Sequence, residues 1–253
     1  MASVIKSLSL SPEIASPSAP VSVLFDFDGT VCLGEGPVLE FAQLLDQRLP
    51  GHGFTRHVRE FIQHPQAPGP FQHCDDPYDI ISIISTDAGF PASLTNAAYA
   101  DSRENAAHSA IRTPERFAEF VRSIPANCVL ATNSPAQEFD QFLHQLGLVG
   151  AFSSIVTSAG KPAGMHSIIP ELLAHGPVLS VGDKWINDLA PAQFLGADTA
   201  LVDTYDRQKD RGRATLRARN LESLYEHIHS WCTSAVPQAT LTPHATKGSH
   251  VSH

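Results

Sequence analysis

Residues 23–31 read VLFDFDGTV, and this stretch decides the fold of the chain. An apolar run delivers two carboxylates, Asp26 and Asp28, and then turns on Gly29. Because side chains alternate along an extended strand, the two acids can point to the same side where the strand ends. Two acids so close repel each other unless a cation or a shared proton lies between them. The stretch therefore predicts a buried strand that ends at a metal-dependent site.

Length and composition favour a globular protein that acts on a small molecule. The chain has 253 residues, of which 42% are hydrophobic, enough for one large domain or a core with an insertion. Its 17 basic and 26 acidic residues give a net charge of -9, which argues against a binder of nucleic acid or anionic membranes. We expect a small metabolite as the partner, and composition leaves the oligomeric state open.

The cysteine content and the hydropathy of the sequence indicate the cellular compartment in which the protein is expected. The four cysteines are far apart and form no CxxC pair, so a reducing compartment is favoured. No unbroken apolar segment precedes Pro12, and no later stretch approaches the roughly 18 apolar residues of a membrane span. The sequence therefore predicts a soluble, cytoplasmic protein.

Strand and helix patterns alternate over much of the chain. Four further apolar or β-branched runs are typical of buried parallel strands, at 128–132, 154–157, 178–182 and 199–203. Amphipathic helices fit between them, one with Ser134 as its predicted N-cap and Gly147 at its end. This βαβ pattern predicts a doubly wound parallel α/β sheet, which binds ligands at the carboxyl ends of its strands.

One interval breaks the alternation and contains helical patterns only. It is roughly 80 residues long, whereas an ordinary loop has a few. We predict a helical cap over the end of the first strand. The predicted division is a core at 20–31 and 113–232, the cap at 32–112, and flexible tails at 1–19 and 233–253.

Polar residues follow three of the other predicted strands. Thr132 and Asn133 follow the second strand, where a hydroxyl and backbone N–H groups can hold an anion. Lys161 lies in a Gly-Lys-Pro loop after the third, where its charge suits a phosphate oxygen, although a lone loop lysine is more often solvated. Asp183 and Asp188 follow the fourth strand, and carboxylate oxygens are ligands that Mg²⁺ prefers.

Four motifs in this order resemble those of the haloacid dehalogenase (HAD) superfamily. The motifs are DFDGT at 26–30, Thr132, Lys161 and GDxxxxD at 182–188. The similarity covers residues 21–230 and is to the subgroup with a helical cap after the first motif, which includes phosphoglycolate phosphatase and β-phosphoglucomutase. It implies a Mg²⁺-dependent phosphatase of a small phosphorylated metabolite.

The resemblance also implies catalytic roles. Asp26 would be the nucleophile that forms an aspartyl-phosphate, and Asp28 would be the general acid and then the general base. Thr132, Asn133 and Lys161 would bind the transferring phosphoryl oxygens.

The same resemblance implies a metal set. Mg²⁺ would be held by Asp26, the backbone carbonyl of Asp28, and Asp183. Asp188 would orient the water shell of the metal or Lys161.

Asp28 also bears on the choice of reaction. Dehalogenases of the family lack this second aspartate, because a halide needs no proton to leave. Phosphonate-cleaving members carry alanine there and use a cap lysine, whereas the interval 32–112 contains no lysine. A phosphosugar mutase shares the core motifs and stays open, as does a binding module that keeps the fold without turnover.

The sequence assigns no role to two basic features. Lys184 stands next to a predicted metal ligand, where a small polar residue is more usual, and it can either pair with a carboxylate or face solvent. The basic run from Arg207 to Arg219 is predicted to be a solvated loop and helix face.

Overall fold

The sheet of this protein is parallel throughout its described part. A computed structural model describes residues 20–106, 111–136, 139–207 and 213–235, with the backbone alone for 103–106. Within them, six strands pair in the order β3-β2-β1-β4-β5-β6. The strands are β1 (Ser22–Phe25), β2 (Asn127–Ala131), β3 (Ser154–Val156), β4 (Val178–Gly182), β5 (Asp198–Val202) and β6 (Leu216–Ala218). The predicted α/β fold class is confirmed, with β6 as an additional strand.

Helices flank the sheet and fill one long interval. Four of them, α1 (Gly36–Arg48), α2 (Phe54–Gln63), α3 (Pro77–Asp87) and α4 (Ala92–Ala106), come between β1 and β2 together with α5 (Phe117–Ser123). The later helices are α6 (Phe139–Gln145), α7 (Met165–Leu173), α8 (Ala190–Phe194) and α9 (Tyr225–Ser234). A π-helical turn at Trp185–Leu189 leads into α8. The helices of the described chain are all too short or too polar to cross a bilayer.

Both faces of the sheet are covered, as its apolar strands require. Val23 and Phe25 lie in the cluster formed with α5, α6 and α9, whereas Leu24 packs in the cluster with α7 and α8. Burial on both faces explains why the strands are continuous apolar runs rather than alternating ones.

The first strand lies where the connections change direction. β1 pairs with β2 on one side and β4 on the other, and Phe25 is level with Leu130 and Val181. Three strands therefore end together at one edge, at the topological switch point where open α/β sheets bind ligands.

Helices α1 to α4 form the predicted helical insertion. Their buried residues, among them Phe41, Leu45, Phe54 and Ile80, make a hydrophobic cluster distinct from the two clusters on the sheet. The exact domain boundaries stay a prediction, and residues 1–19 and 236–253 of the predicted tails lie outside the described part.

The prediction of a solvated basic run holds for the exposed residues Arg213 and Arg219, but it is wrong for Arg207 and Arg217. Arg217 lies on β6 and pairs with the buried carboxylate of Asp203. Arg207 donates to the backbone carbonyls of Pro65 and Gln72 in the helical insertion. Their charges are used in contacts between elements rather than in solvent; Lys209 and Arg211 of the run lie outside the described residues.

Candidate active site

The candidate site lies at the carboxyl end of the centre of the sheet. Asp26 directly follows β1, and its N–H donates to the carbonyl of Val181 on β4 at 2.8 Å. Asp183 directly follows β4, and Asp188 lies three residues into the turn that begins at Trp185. The parallel pairing of β1 and β4 therefore delivers acids distant in sequence to one place.

Three of the predicted acids come close enough to share a metal ion. One carboxylate oxygen from each of Asp26, Asp183 and Asp188 lies within 4.8 Å of the other two. Hard oxygen ligands of this kind suit Mg²⁺. The residues present therefore fit the divalent cation that the sequence implies. The carboxylate of Asp28 is not in this group, and the role of its backbone carbonyl stays a prediction.

Two glycines allow these acids to approach the backbone. Gly29 has φ +80°, and a Cβ there would lie 2.2 Å from Asp183 Oδ2. A Cβ on Gly182 would lie 2.5 Å from Asp188 Cβ. Any larger residue at either position would displace a carboxylate.

Burial and mutual repulsion make the acids hard to ionise by themselves. Burial, and then the neighbouring Asp188 carboxylate, raises the pKa of Asp26 to about 7. Burial, and then Asp26 and Asp188, raises the pKa of Asp183 well above its ordinary value. A cation acts in the opposite direction, because it favours the charged carboxylates.

Lys161 is buried in the site and is not a solvated loop lysine. Its Nζ donates to Asp26 Oδ1, and to Asp188 Oδ1 at 2.6 Å, and its side chain is 4% exposed. Burial alone would lower the pKa of Lys161, but the two carboxylates outweigh burial and raise it above its ordinary value. The ammonium group therefore stays charged beside the predicted nucleophile.

Thr132 and Asn133 hold local structure around Lys161. Thr132 is buried, and its Oγ1 accepts the N–H of Ser134 at 3.0 Å. The Asn133 side chain accepts the N–H of Lys161 at 2.7 Å and donates to its carbonyl at 3.0 Å. This pair of bonds fixes the Lys161 loop, a function that the sequence did not predict. Binding of phosphate by Thr132 and Asn133 stays a prediction.

Ser134 contacts the predicted general acid. Its hydroxyl donates to Asp28 Oδ2 at 2.9 Å. The prediction that Ser134 caps the next helix stays a prediction, because residues 137 and 138, just before Phe139 of α6, lie outside the described part. A serine before an amphipathic run favours a cap, and only the fold reveals the aspartate 106 positions away.

Asp188 joins several parts of the site. While its Oδ1 accepts from Lys161, its Oδ2 accepts the N–H of Lys184 at 3.1 Å. The Ser180 hydroxyl on β4 donates to its backbone carbonyl at 2.8 Å. Asp188 thus fixes both the lysine and the chain next to Asp183.

Lys184 pairs with carboxylates of the helical insertion. Its Nζ lies 2.9 Å from Asp76 Oδ2 and 2.5 Å from Asp79 Oδ1, at the start of α3. Asp76 also caps α3 by accepting the N–H of Asp79. The unusual lysine therefore links the insertion to the residue beside Asp183.

A small cavity of about 210 Å³ opens onto these residues. The sheet side supplies Asp26, Asp28, Asn133, Lys161, Asp183 and Asp188. The rest of the lining includes Glu35, Pro37, Val38, Asp76, Tyr78, Tyr99 and Tyr205. The sequence did not predict this second group, because isolated tyrosines on separate elements form no recognisable pattern.

Comparison with known proteins yields matches among solved structures alone. No protein-family model matches this sequence, and no curated protein matches it. The predicted phosphoglycolate phosphatase of Haemophilus somnus 129PT matches with a TM-score of 0.57 at 14% identity, over 82% of this chain and 97% of that one. The structure of YfnB from Bacillus subtilis, assigned as a HAD-hydrolase and bound to magnesium, matches with a TM-score of 0.56 at 19% identity, over 83% and 98%.

A third similar structure is assigned as a β-phosphoglucomutase, from Thermotoga maritima. Its TM-score is 0.52 at 16% identity, over 83% of this chain and 98% of that one. A haloacid dehalogenase structure matches as well. At these identities the likeness establishes the fold and does not choose among the activities.

Proposed function

We propose that this chain, which has the fold of the haloacid dehalogenase superfamily, is a Mg²⁺-dependent phosphatase of a small phosphorylated metabolite. The observation that carries the proposal is the meeting of Asp26, Asp183 and Asp188 around the buried ammonium group of Lys161, with Asp28 in the same cavity.

In the first step, Asp26 attacks phosphorus and forms an aspartyl-phosphate. The bond between phosphorus and the ester oxygen breaks, and Asp28 gives its proton to that leaving oxygen. In the second step, the Asp28 carboxylate takes a proton from water, whose oxygen attacks phosphorus and releases phosphate and Asp26. Ser134 holds one oxygen of Asp28 during both transfers.

Mg²⁺ would be held by Asp26, Asp183 and the backbone carbonyl of Asp28. The bound cation offsets the repulsion between the nucleophilic carboxylate and the anionic phosphoryl group. Lys161 neutralises charge on the phosphoryl oxygens, while Asp188 and Asn133 hold it in position.

Asp28 and the cavity charges favour phosphatase activity over the alternatives. A dehalogenase needs no acid for its leaving group. Such an enzyme would therefore have no use for the Asp28 carboxylate that Ser134 positions by a hydrogen bond. A phosphosugar mutase has to bind a second phosphate. Among the described residues that line the cavity, the one cation besides Lys161 is Lys184, which is already paired with two carboxylates of the insertion.

A panel of phosphate monoesters tests the proposal. We expect phosphate release that needs Mg²⁺, stops with a chelator, and disappears in Asp26→Asn. Transfer from a sugar bisphosphate without net release of phosphate would favour the mutase instead. Undiminished turnover by Asp26→Asn would overturn the proposed mechanism.

A further inference from the structure

The part of the cavity wall that the helical insertion and its flanking segments supply has one acid without an ion-pair partner among the described residues. Glu35 stands at the N-terminal end of α1 and makes no side-chain cap bond there. Asp76, another acid of this wall, pairs with Lys184 at 2.9 Å. Within the described part of the chain, Glu35 has no ion-pair partner. A leaving group with a negative charge would therefore meet repulsion on this side.

Three half-buried tyrosines complete the same wall. Tyr78 comes from α3, Tyr99 from α4 and Tyr205 from the segment after β5. Glu35 and Tyr205 line the same cavity, and burial, followed by the Glu35 carboxylate, raises the pKa of Tyr205 above its ordinary value. Aromatic faces next to a carboxylate attract an ammonium group, because both the ring quadrupole and the acid favour a cation.

Ring contacts hold the tyrosines in place. The ring of Phe41 lies 5.5 Å from that of Tyr99 and 6.4 Å from that of Tyr78, centroid to centroid. The ring of Phe61 lies 5.3 Å from that of Tyr205. Rings that pack against other rings are already ordered before a ligand binds, which lowers the entropic cost of binding.

The size of the cavity restricts the leaving group further. About 210 Å³ is less than the roughly 300–1,000 Å³ of pockets that enclose drug-sized ligands. Part of this space is needed for the phosphoryl group beside Asp26. The remainder suits a leaving group of a few non-hydrogen atoms better than a nucleoside.

We infer that the substrate is the phosphate ester of a small amino alcohol, with its ammonium group held by Glu35 and the rings of Tyr78, Tyr99 and Tyr205. This inference rests on the proposed phosphatase activity. It goes beyond that activity by assigning a charge to the leaving group, and it disfavours substrates that carry a carboxylate.

Three esters of similar size test the charge preference. O-phosphoethanolamine carries an ammonium group, n-propyl phosphate replaces it with a methyl group, and 2-phosphoglycolate carries a carboxylate. We expect kcat/KM to fall in this order, by about tenfold or more between the first and the last. A higher kcat/KM for 2-phosphoglycolate would overturn the inference.

Variants of Glu35 separate its charge from its shape. Glu35→Gln should remove most of the preference for O-phosphoethanolamine over n-propyl phosphate, and Glu35→Lys should shift the preference toward 2-phosphoglycolate. Glu60→Gln, an exposed position on α2 outside this cavity, is the matched control and should keep the wild-type ratios. Unchanged ratios in both Glu35 variants would contradict the assigned role.

Two measurements distinguish the proposed phosphatase activity from the inferred preference for an ammonium group. They are the hydrolysis of p-nitrophenyl phosphate and the binding of the three esters. Release of p-nitrophenol in Mg²⁺ tests the phosphatase activity without regard to leaving-group charge. Calorimetric binding of the three esters to Asp26→Asn, which is not expected to turn over, tests the charge preference without catalysis. If no ester is hydrolysed but O-phosphoethanolamine binds best, the phosphatase proposal fails and the binding preference stands. If turnover occurs while binding shows no preference for the ammonium group, the phosphatase proposal stands and the inferred charge preference fails.

Discussion

At the residue scale, Asp28 is the group on which the choice of reaction depends. Its carboxylate accepts a hydrogen bond from Ser134 at 2.9 Å and lies outside the trio of acids that can share a metal. A positioned acid of this kind contributes most where the leaving oxygen is a poor leaving group. Ser134 is therefore a positioning residue whose effect should depend on the ester.

Ser134→Ala should lower kcat for alkyl phosphate esters by about tenfold, a part of the 10²- to 10⁴-fold typical of general acid–base catalysis. The loss should be smaller for p-nitrophenyl phosphate, because p-nitrophenolate leaves without a proton. Steady-state kinetics on both esters measure the difference. Ser134→Thr should restore activity, and Ser123→Ala, whose hydroxyl bonds within its own helix, is the control. Equal losses on both esters would indicate a merely structural effect.

Gly29→Ala should weaken Mg²⁺ binding and lower the free energy of unfolding by more than about 1 kcal/mol. The new Cβ would collide with Asp183 Oδ2 at 2.2 Å, and the φ of +80° disfavours any side chain. Gly51→Ala is a matched control, because Gly51 has φ +97° but nothing within 4 Å of an added Cβ. Urea denaturation and Mg²⁺ calorimetry compare the two variants. A loss of Mg²⁺ affinity as large in Gly51→Ala would exclude the collision as the cause.

At the element scale, the start of α3 is tied to the end of β4 by charge. Asp76 and Asp79 would repel each other, and Lys184 lies against both. The same lysine follows Asp183 directly, so the ion pair connects the position of the helical insertion to that of a predicted metal ligand.

Lys184→Met should destabilise the protein by about 1 to 3 kcal/mol, because it leaves two partly buried carboxylates without a cation. It should also raise KM, since the insertion supplies much of the cavity wall. A double-mutant cycle with Asp79→Asn isolates the pair, and we expect the double variant to lose less than the sum of the single losses. If the two single losses of unfolding free energy, measured by urea denaturation, add up to the loss in the double variant, the ion pair contributes nothing.

At the scale of the whole molecule, the sequence predicts the core better than the walls of the cavity. The strands β1, β2 and β4 can be recognised in the sequence because strands buried on both faces are apolar throughout. The sequence does not predict the three-residue strand β6, because Leu216–Ala218 has an arginine at its centre and lies at the sheet edge.

The acids of the site were found from their places after strands, because a parallel sheet brings such ends together. The sequence does not predict the contacts of Ser134, Lys184 and Arg207, because each contact joins positions more than 100 residues apart in the chain. No local periodicity encodes such pairs. The same holds for Glu35 and the tyrosines that line the cavity with the acids.

The most direct test of a covalent role for Asp26 is to trap the phosphoryl group. Asp28→Asn is mixed with p-nitrophenyl phosphate and Mg²⁺, quenched in acid, and its peptides are analysed by mass spectrometry. Because p-nitrophenolate leaves without a proton, the first step should proceed, whereas hydrolysis should stall without the Asp28 base. We predict a phosphoryl group on Asp26 that is absent from the Asp26→Asn/Asp28→Asn double variant. Catalytic release of phosphate by the wild type, with no phosphoryl group on Asp26 or with one on another residue, would contradict it.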